Sequence, residues 1–306
     1  MKLGFSLQSL AFFGGAGKNS SSEWIAHYES IELFLDVLKA SGITSIELRY
    51  LPRSGNPRVY REIIELIWGM GLVLTVQGEV AGTARGSCFA EIYPSMSFIL
   101  NHFHKYQSTL LMTLPLVDAW AAKVSNAEWH EQTVRLLRHW TEIVTAEELP
   151  ITFALENSKL SSDGSIPGCP LERMLRIVED IESPSVGICW DLGAYYAEQL
   201  RISGHAHPIE RYGGELPSPS FIKRVSHTHL HGVASNGIHN PLIEKASLPL
   251  ETYTDVLRTS GYEGIYNLEL TMDKCSGMFE PCDLIFGSIR RVKQAHIRPS
   301  KSYRGM

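Results

Sequence analysis

Short apolar or β-branched runs alternate along the chain with longer segments in which apolar residues recur at helical spacing, as in βα units around a parallel sheet. The alternation can be laid out as eight units, with strands predicted over Leu3 to Leu7, Ser45 to Tyr50, Val73 to Gly78, Thr109 to Leu114, Ile151 to Asn157, Val186 to Asp191, His227 to Gly232 and Ile265 to Leu270. Helical patterns fall between them at Ile31 to Ala40, Tyr60 to Gly69, Ala127 to Ala146, Leu171 to Ile181, Leu250 to Thr259 and Cys282 to Ala295. Ser41-Gly42, Gly71 and Ser260-Gly261 stand where a helix needs a left-handed residue before the next strand. No repeat or long linker interrupts the pattern. It predicts an α/β chain folded as a single (β/α)8 TIM barrel over 1–295, with a basic C-terminal tail over 296–306.

Composition narrows the class. Hydrophobic residues make up 44% of the 306 positions and charged residues 20%, which suits a packed chain that buries its apolar surface without staples. The five cysteines, Cys88, Cys169, Cys189, Cys275 and Cys282, form no CxxC pair, so a reduced, cytoplasmic location is expected. The start MKLGFSLQSLAFF carries Ser6, Gln8 and Ser9 and reads as a strand, not a signal, and no apolar run is long enough to predict a membrane partner. A net charge of −5 opposes a nucleic-acid partner, because that affinity rests on neutralising phosphates. The basic run from Arg290 to Arg304 reads as a solvated end.

Other signals are weaker. Gly14-Gly15-Ala16-Gly17-Lys18 is not a phosphate loop, since Phe12 and Asn19 stand where that motif needs Gly and Ser or Thr. Asn19-Ser20-Ser21 matches a glycosylation sequon but comes without a secretory signal. The segment from Ser203 to Pro219 is rich in Gly, Pro and His and falls after strand six, where long loops cover the active face of a barrel; His205, His207 and Arg211 lie in it.

The chemistry concentrates in the last four strands. Glu156, Asp191 and Glu269 each close an otherwise apolar run, and a carboxylate in such a place must be paired, hydrogen-bonded or bound to metal. Any one of them alone reads equally well as a helix cap or the partner of an arginine. Three together with His227, His229 and His231, which share one face of a strand, point to acids and imidazoles grouped on the inner wall.

These residues resemble the xylose isomerase-like barrels of the AP endonuclease family 2 type, which include metal-dependent AP endonucleases, tagatose and psicose epimerases, inosose dehydratases and dehydroshikimate dehydratases. The resemblance rests on Leu155-Glu156-Asn157, Trp190-Asp191-Leu192-Gly193, His229-Leu230-His231-Gly232 and Leu268-Glu269-Leu270, in this order along nearly the whole chain. It implies that Glu156, Asp191, His229 and Glu269 are metal ligands. Three carboxylates and an imidazole suit one divalent ion, Mn²⁺ first, with Mg²⁺, Co²⁺ or Zn²⁺ also compatible.

The departures narrow the activity. Gln77, Thr113 and Ala194 stand where the nuclease branch needs further histidines, and only His239 is left of its later Asp-x-His element, the aspartate being Gly237. Ala194 and Gly232 also differ from the epimerase pattern at substrate contacts. The resemblance therefore implies an isomerase or epimerase acting on a sugar, polyol or related hydroxy-carbonyl compound by proton abstraction next to a metal-bound oxygen. The alternatives are a dehydratase on the same fold and, further off, a nuclease or a non-catalytic sugar-binding barrel. Glu156 and Glu269 are the expected proton-transfer residues. Glu47, Arg49, Lys159 and His231 are expected substrate contacts, with His231 and Glu79 also available as acid or base. The partner is a small molecule, and a homo-oligomer is the default for soluble enzymes of this kind.

Overall fold

The computed structural model describes residues 1–8, 30–49, 57–78, 94–116, 125–157, 170–204, 215–235, 237–242, 248–271 and 281–297. Eight parallel strands close into a barrel: β1 (Lys2–Gln8), β2 (Ser45–Arg49), β3 (Val73–Gln77), β4 (Leu110–Pro115), β5 (Ile151–Glu156), β6 (Val186–Asp191), β7 (Val225–Leu230) and β10 (Ile265–Leu268). Their order around the wall is β1-β10-β7-β6-β5-β4-β3-β2. A separate antiparallel hairpin, β8 (Gly232–Ala234) and β9 (Gly237–Asn240), intervenes in the chain before β10.

Alternation along each strand decides where the core lies. Leu3, Phe5 and Leu7 of β1, Ile46 and Leu48 of β2, Phe153 and Leu155 of β5 and Ile188 and Trp190 of β6 are buried. Phe5 meets Phe34 of helix α1 (Ile31–Ala40) edge-on at 6.2 Å. Phe153 meets Trp140, on the helix Asn126–Ala146, at 5.8 Å. Each such side chain contributes about 2 kcal/mol through removal from water. The interleaved positions are buried too, yet polar: Ser6, Glu47, Arg49, Thr75, Gln77, Thr113, Glu156, Asp191, His227, His229 and Asn267. Barrel interiors are usually packed with aliphatic layers. Here the apolar core lies between sheet and helices, and the inside of the barrel carries a hydrogen-bonded polar network.

The helices at Ile31–Ala40, Leu171–Ile181 and Leu250–Thr259 have the expected bounds, and Gly42, Gly71 and Gly261 take positive φ of 91°, 70° and 80° after their helices. Other features depart from the sequence pattern. Helices also form over Pro94–His102, Leu192–Ile202 and Pro219–Lys223. Strand seven starts at Val225 and ends at Leu230, so the expected strand end at Gly232 is corrected: Gly232 pairs with Asn240 in the hairpin, outside the barrel wall. The last helix runs over Pro281–Ile297, two residues into the expected tail, and 298–306 lie outside the described residues. Among the described residues, no helix is long and apolar enough to cross a membrane.

Candidate metal centre

Four strands deliver one polar side chain each to the same end of the barrel. Glu156 and Asp191 are the last residues of β5 and β6, His229 lies in β7, and Glu269 directly follows β10. In register, Asp191 sits beside His229, and Asn267, two residues before Glu269, sits beside His229 from the other side. One donor atom from each of Glu156, Asp191, His229 and Glu269 lies within 4.8 Å of the other three, and all four residues are buried. His229 Nδ1 is 2.6 Å from Glu156 Oε1 and 3.0 Å from Glu269 Oε2. The four residues singled out in the sequence are thus brought together. Three carboxylate oxygens and one imidazole nitrogen, all on buried residues, fit a hard divalent cation.

The opposite half of the wall holds these groups in place. Arg49 Nη2 lies 2.5 Å from Glu269 Oε1, and its Nε donates to Gln77 Oε1 at 3.1 Å. Gln77 Nε2 in turn donates to Glu156 Oε2 at 3.0 Å. Glu47 lies one layer deeper. Its Oε1 accepts from Ser6 Oγ at 2.6 Å and Asn267 Nδ2 at 3.0 Å, and its Oε2 accepts from Thr113 Oγ1 at 3.2 Å. That same Oε2 is 3.2 Å from His229 Nε2 and 3.5 Å from His227 Nε2. Protein groups occupy both oxygens of Glu47, which stands behind His229.

Asp191 has two structural duties besides its place in the cluster. It caps the helix Leu192–Ile202, its Oδ1 accepting from Ala194 N at 2.9 Å. Asn157 braces its backbone, with Asp191 N donating to Asn157 Oδ1 at 2.7 Å and Asn157 Nδ2 donating to Asp191 O at 3.0 Å. His231 Nε2 lies 2.9 Å from Asp191 Oδ1. The His231 ring rests on Gly193, where an added Cβ would come 2.1 Å from the ring's Cε1, so only glycine admits it. His239 Nε2 lies 3.2 Å from Glu269 Oε1. Lys159, Glu79, His205, His207 and Arg211 lie outside the described residues. Ser6, Cys189 and Asn267 belong to the network without having been singled out as site residues.

Burial and charge pull these groups in different directions. Burial pushes the Glu156 carboxyl up, and the neighbouring His229 only partly offsets it, so it stays raised. Glu269 feels the same burial, but Arg49, His239 and His229 outweigh it and hold its carboxyl well below the usual range. Burial raises Glu47 as well, and His229 and His227 overcome that, leaving it well below. Asp191 ends lowered because His231 beside it outweighs burial. Burial alone would lower His229, yet the surrounding Cys189, Glu47, Glu156 and Glu269 raise it well above its ordinary value. The imidazole serves as the counter-charge of the surrounding carboxylates.

A family model described as xylose isomerase-like TIM barrel matches residues 67–294. No curated protein matches the chain in sequence. Among solved structures, the D-psicose 3-epimerase of Clostridium cellulolyticum, solved with D-tagatose, has a TM-score of 0.60 at 14% identity, with 96% of each chain covered. The 3-keto-D-glucoside 4-epimerase of E. coli gives 0.59 at 14%, covering 96% of this chain and 100% of that one. A xylose isomerase domain protein from Alicyclobacillus acidocaldarius gives 0.59 at 14%, covering 97% and 98%. At such identity the likeness is one of fold.

Proposed function

The chain belongs to the xylose isomerase-like TIM barrel family, and from that premise we propose that it is a divalent-metal-dependent isomerase or epimerase of a sugar, polyol or related hydroxy-carbonyl compound. The observation that carries this reading is the convergence of Glu156, Asp191, His229 and Glu269 within 4.8 Å. These four would hold the ion, Mn²⁺ being the first choice for so oxygen-rich a set. Support for the substrate class comes from the sugar epimerases that share the fold.

A divalent ion bound there supplies polarisation of the substrate's oxygens, which acidifies the neighbouring C–H. The chain's own residues do the rest. Glu269, kept ionised by Arg49, takes the proton onto a carboxylate oxygen, and Glu156, oriented by Gln77 Nε2 at 3.0 Å, returns one. The two stand on different strands, with β7 and β6 between them in the wall, so they address the substrate from separate directions. Gln77 and Arg49 fix their orientations, and Glu47 fixes the ring of His229 from behind in the manner of a carboxylate supporting a metal-bound imidazole. Return of the proton to another carbon gives isomerisation; return to the opposite face gives epimerisation.

A lyase outcome shares the first step and is favoured by one observation. His231, whose Nε2 lies 2.9 Å from Asp191 Oδ1, would protonate a departing hydroxyl in a chain that holds a single ion. The test is elemental analysis of the purified chain after Mn²⁺ loading, followed by screening keto-sugars, inososes and hydroxy acids for C–H exchange in D₂O. Glu156→Gln and His229→Ala should lose the ion. If Glu269→Gln kept both ion content and turnover, the mechanism would be wrong.

A further inference from the structure

We propose a second divalent-ion site beside the first, built from Asp191, His231 and His239 and suited to a borderline ion such as Zn²⁺ or Co²⁺. It rests on the reading of the first centre, with which it shares Asp191. Donor atoms of the three residues lie within 4.8 Å of one another, and all three residues are buried. Two imidazoles and one carboxylate form a softer set than three carboxylates and one imidazole, so the two sites differ in the ions they prefer. A carboxylate has two oxygens and can serve both, with Asp191 Oδ1 already directed at His231.

Both imidazoles are held in place by local features of the chain. The His231 ring occupies the space that any side chain at position 193 would need. Its Nδ1 lies 3.2 Å from Gly232 O, and a proton on Nδ1 donated to that carbonyl leaves the Nε2 lone pair aimed at Asp191. This is how a backbone carbonyl orients a metal-binding histidine. The same Nδ1 accepts from His239 N at 3.0 Å, and an ion on Nε2 would exchange that contact for the carbonyl one. His239 takes φ of 63°, a left-handed conformation that side chains other than glycine rarely adopt. The hairpin Gly232–Ala234 and Gly237–Asn240 leaves the barrel wall to bring it there, and Thr271 N donates to its carbonyl at 3.1 Å.

The set differs from the nuclease pattern, which places a histidine at position 194 and an aspartate at 237, where this chain has Ala194 and Gly237. His231, from the end of strand seven, supplies the imidazole instead. The experiment strips the full chain with chelator, titrates it with Co²⁺, and reads ion content by elemental analysis and site formation by visible absorption. About two ions per chain are expected in the wild type. His231→Gln and His239→Asn should each keep about one, and Glu156→Gln should lose the other while retaining this one. A wild-type chain that saturates at about one ion, or two ions that survive both histidine substitutions, overturns the second site and leaves the first reading standing. No ion under any loading overturns both. The wild-type stoichiometry decides the matter even if a variant folds poorly.

Discussion

Replacing Glu47 by Gln keeps the shape of the side chain and removes its charge, and the surroundings determine the result. Four donors converge on the carboxylate: Ser6 Oγ and Asn267 Nδ2 at Oε1, Thr113 Oγ1 and His229 Nε2 at Oε2. An amide has one oxygen, so in either orientation its NH₂ faces two donors. A charge-assisted hydrogen bond contributes about 1.5 to 3 kcal/mol and a neutral one about 1, so the ion-free variant should lose roughly 3 kcal/mol. With a urea slope of about 3 kcal/mol per molar, the unfolding midpoint falls by about 1 M. The pH dependence carries a sign. Although burial raises Glu47, the imidazoles hold its folded pKa well below 4.5, so its contribution is present above 4.5 and is lost as pH falls through the folded value. His229 is raised well above 6.5 despite its burial, so its contribution is complete below 6.5 and is lost as pH rises through its folded value. The two are partners in one interaction, counted once. The wild type should therefore lose more stability on acidification than Glu47→Gln, and the two urea midpoints should approach each other in acid. Ion affinity should fall about 10- to 100-fold, measured by calorimetry. Equal midpoints at neutral pH, or parallel losses in acid, would refute the role given to Glu47.

Gly193→Ala places a Cβ 2.1 Å from the His231 ring and must displace it. The expected result is a folded chain by circular dichroism that has lost the second ion while keeping the first. Arg49→Met leaves Glu269 without the guanidinium that lies 2.5 Å away, at a cost of about 3 to 5 kcal/mol in the ion-free chain and less in the loaded one, where the ion supplies the counter-charge; urea denaturation with and without Mn²⁺ separates the two. Loading the first centre with Mn²⁺ at about 100 times its Kd should stabilise the wild type by about 2.7 kcal/mol, reversed by chelator, and Glu156→Gln should lose that share, as read by scanning calorimetry.

The barrel and its acids were legible because strand-end carboxylates in apolar runs are costly and therefore conspicuous. The meaning of the alternation is less plain. Apolar and polar positions taking turns, as in Gly4-Phe5-Ser6-Leu7 or Ile46-Glu47-Leu48-Arg49, ordinarily mark a strand with one face in water, yet here the polar face lines the barrel. Read so, the alternation groups Ser6, Thr113 and Asn267 around Glu47. Asp191 opens a helix as well as closing a strand, but Gly193 and the aromatic pair Tyr195-Tyr196 weaken the helical signal after it. The hairpin has its own mark in the sequence, Asn236-Gly237, a dipeptide favoured in tight hairpin turns. Lys159 and the glycine-rich first loop lie outside the described residues.

The bond from Asn267 Nδ2 to Ser6 Oγ joins positions 261 apart in the chain, and both donate to the carboxylate that steadies His229. It forms only when the first and last strands of the wall have met, with Gly4 in register with Asn267. Tight ion uptake during refolding should therefore lag behind the appearance of helical signal and keep pace with the slow, long-range step that seals the ring. A half-barrel fragment ending before β5 carries none of the four acids and imidazoles of the first centre, and one beginning at β5 carries all four without Arg49, Gln77, Glu47 or Ser6. The proposed metal centre is in this sense a property of the closed circle, and ion capture would report topology as much as chemistry.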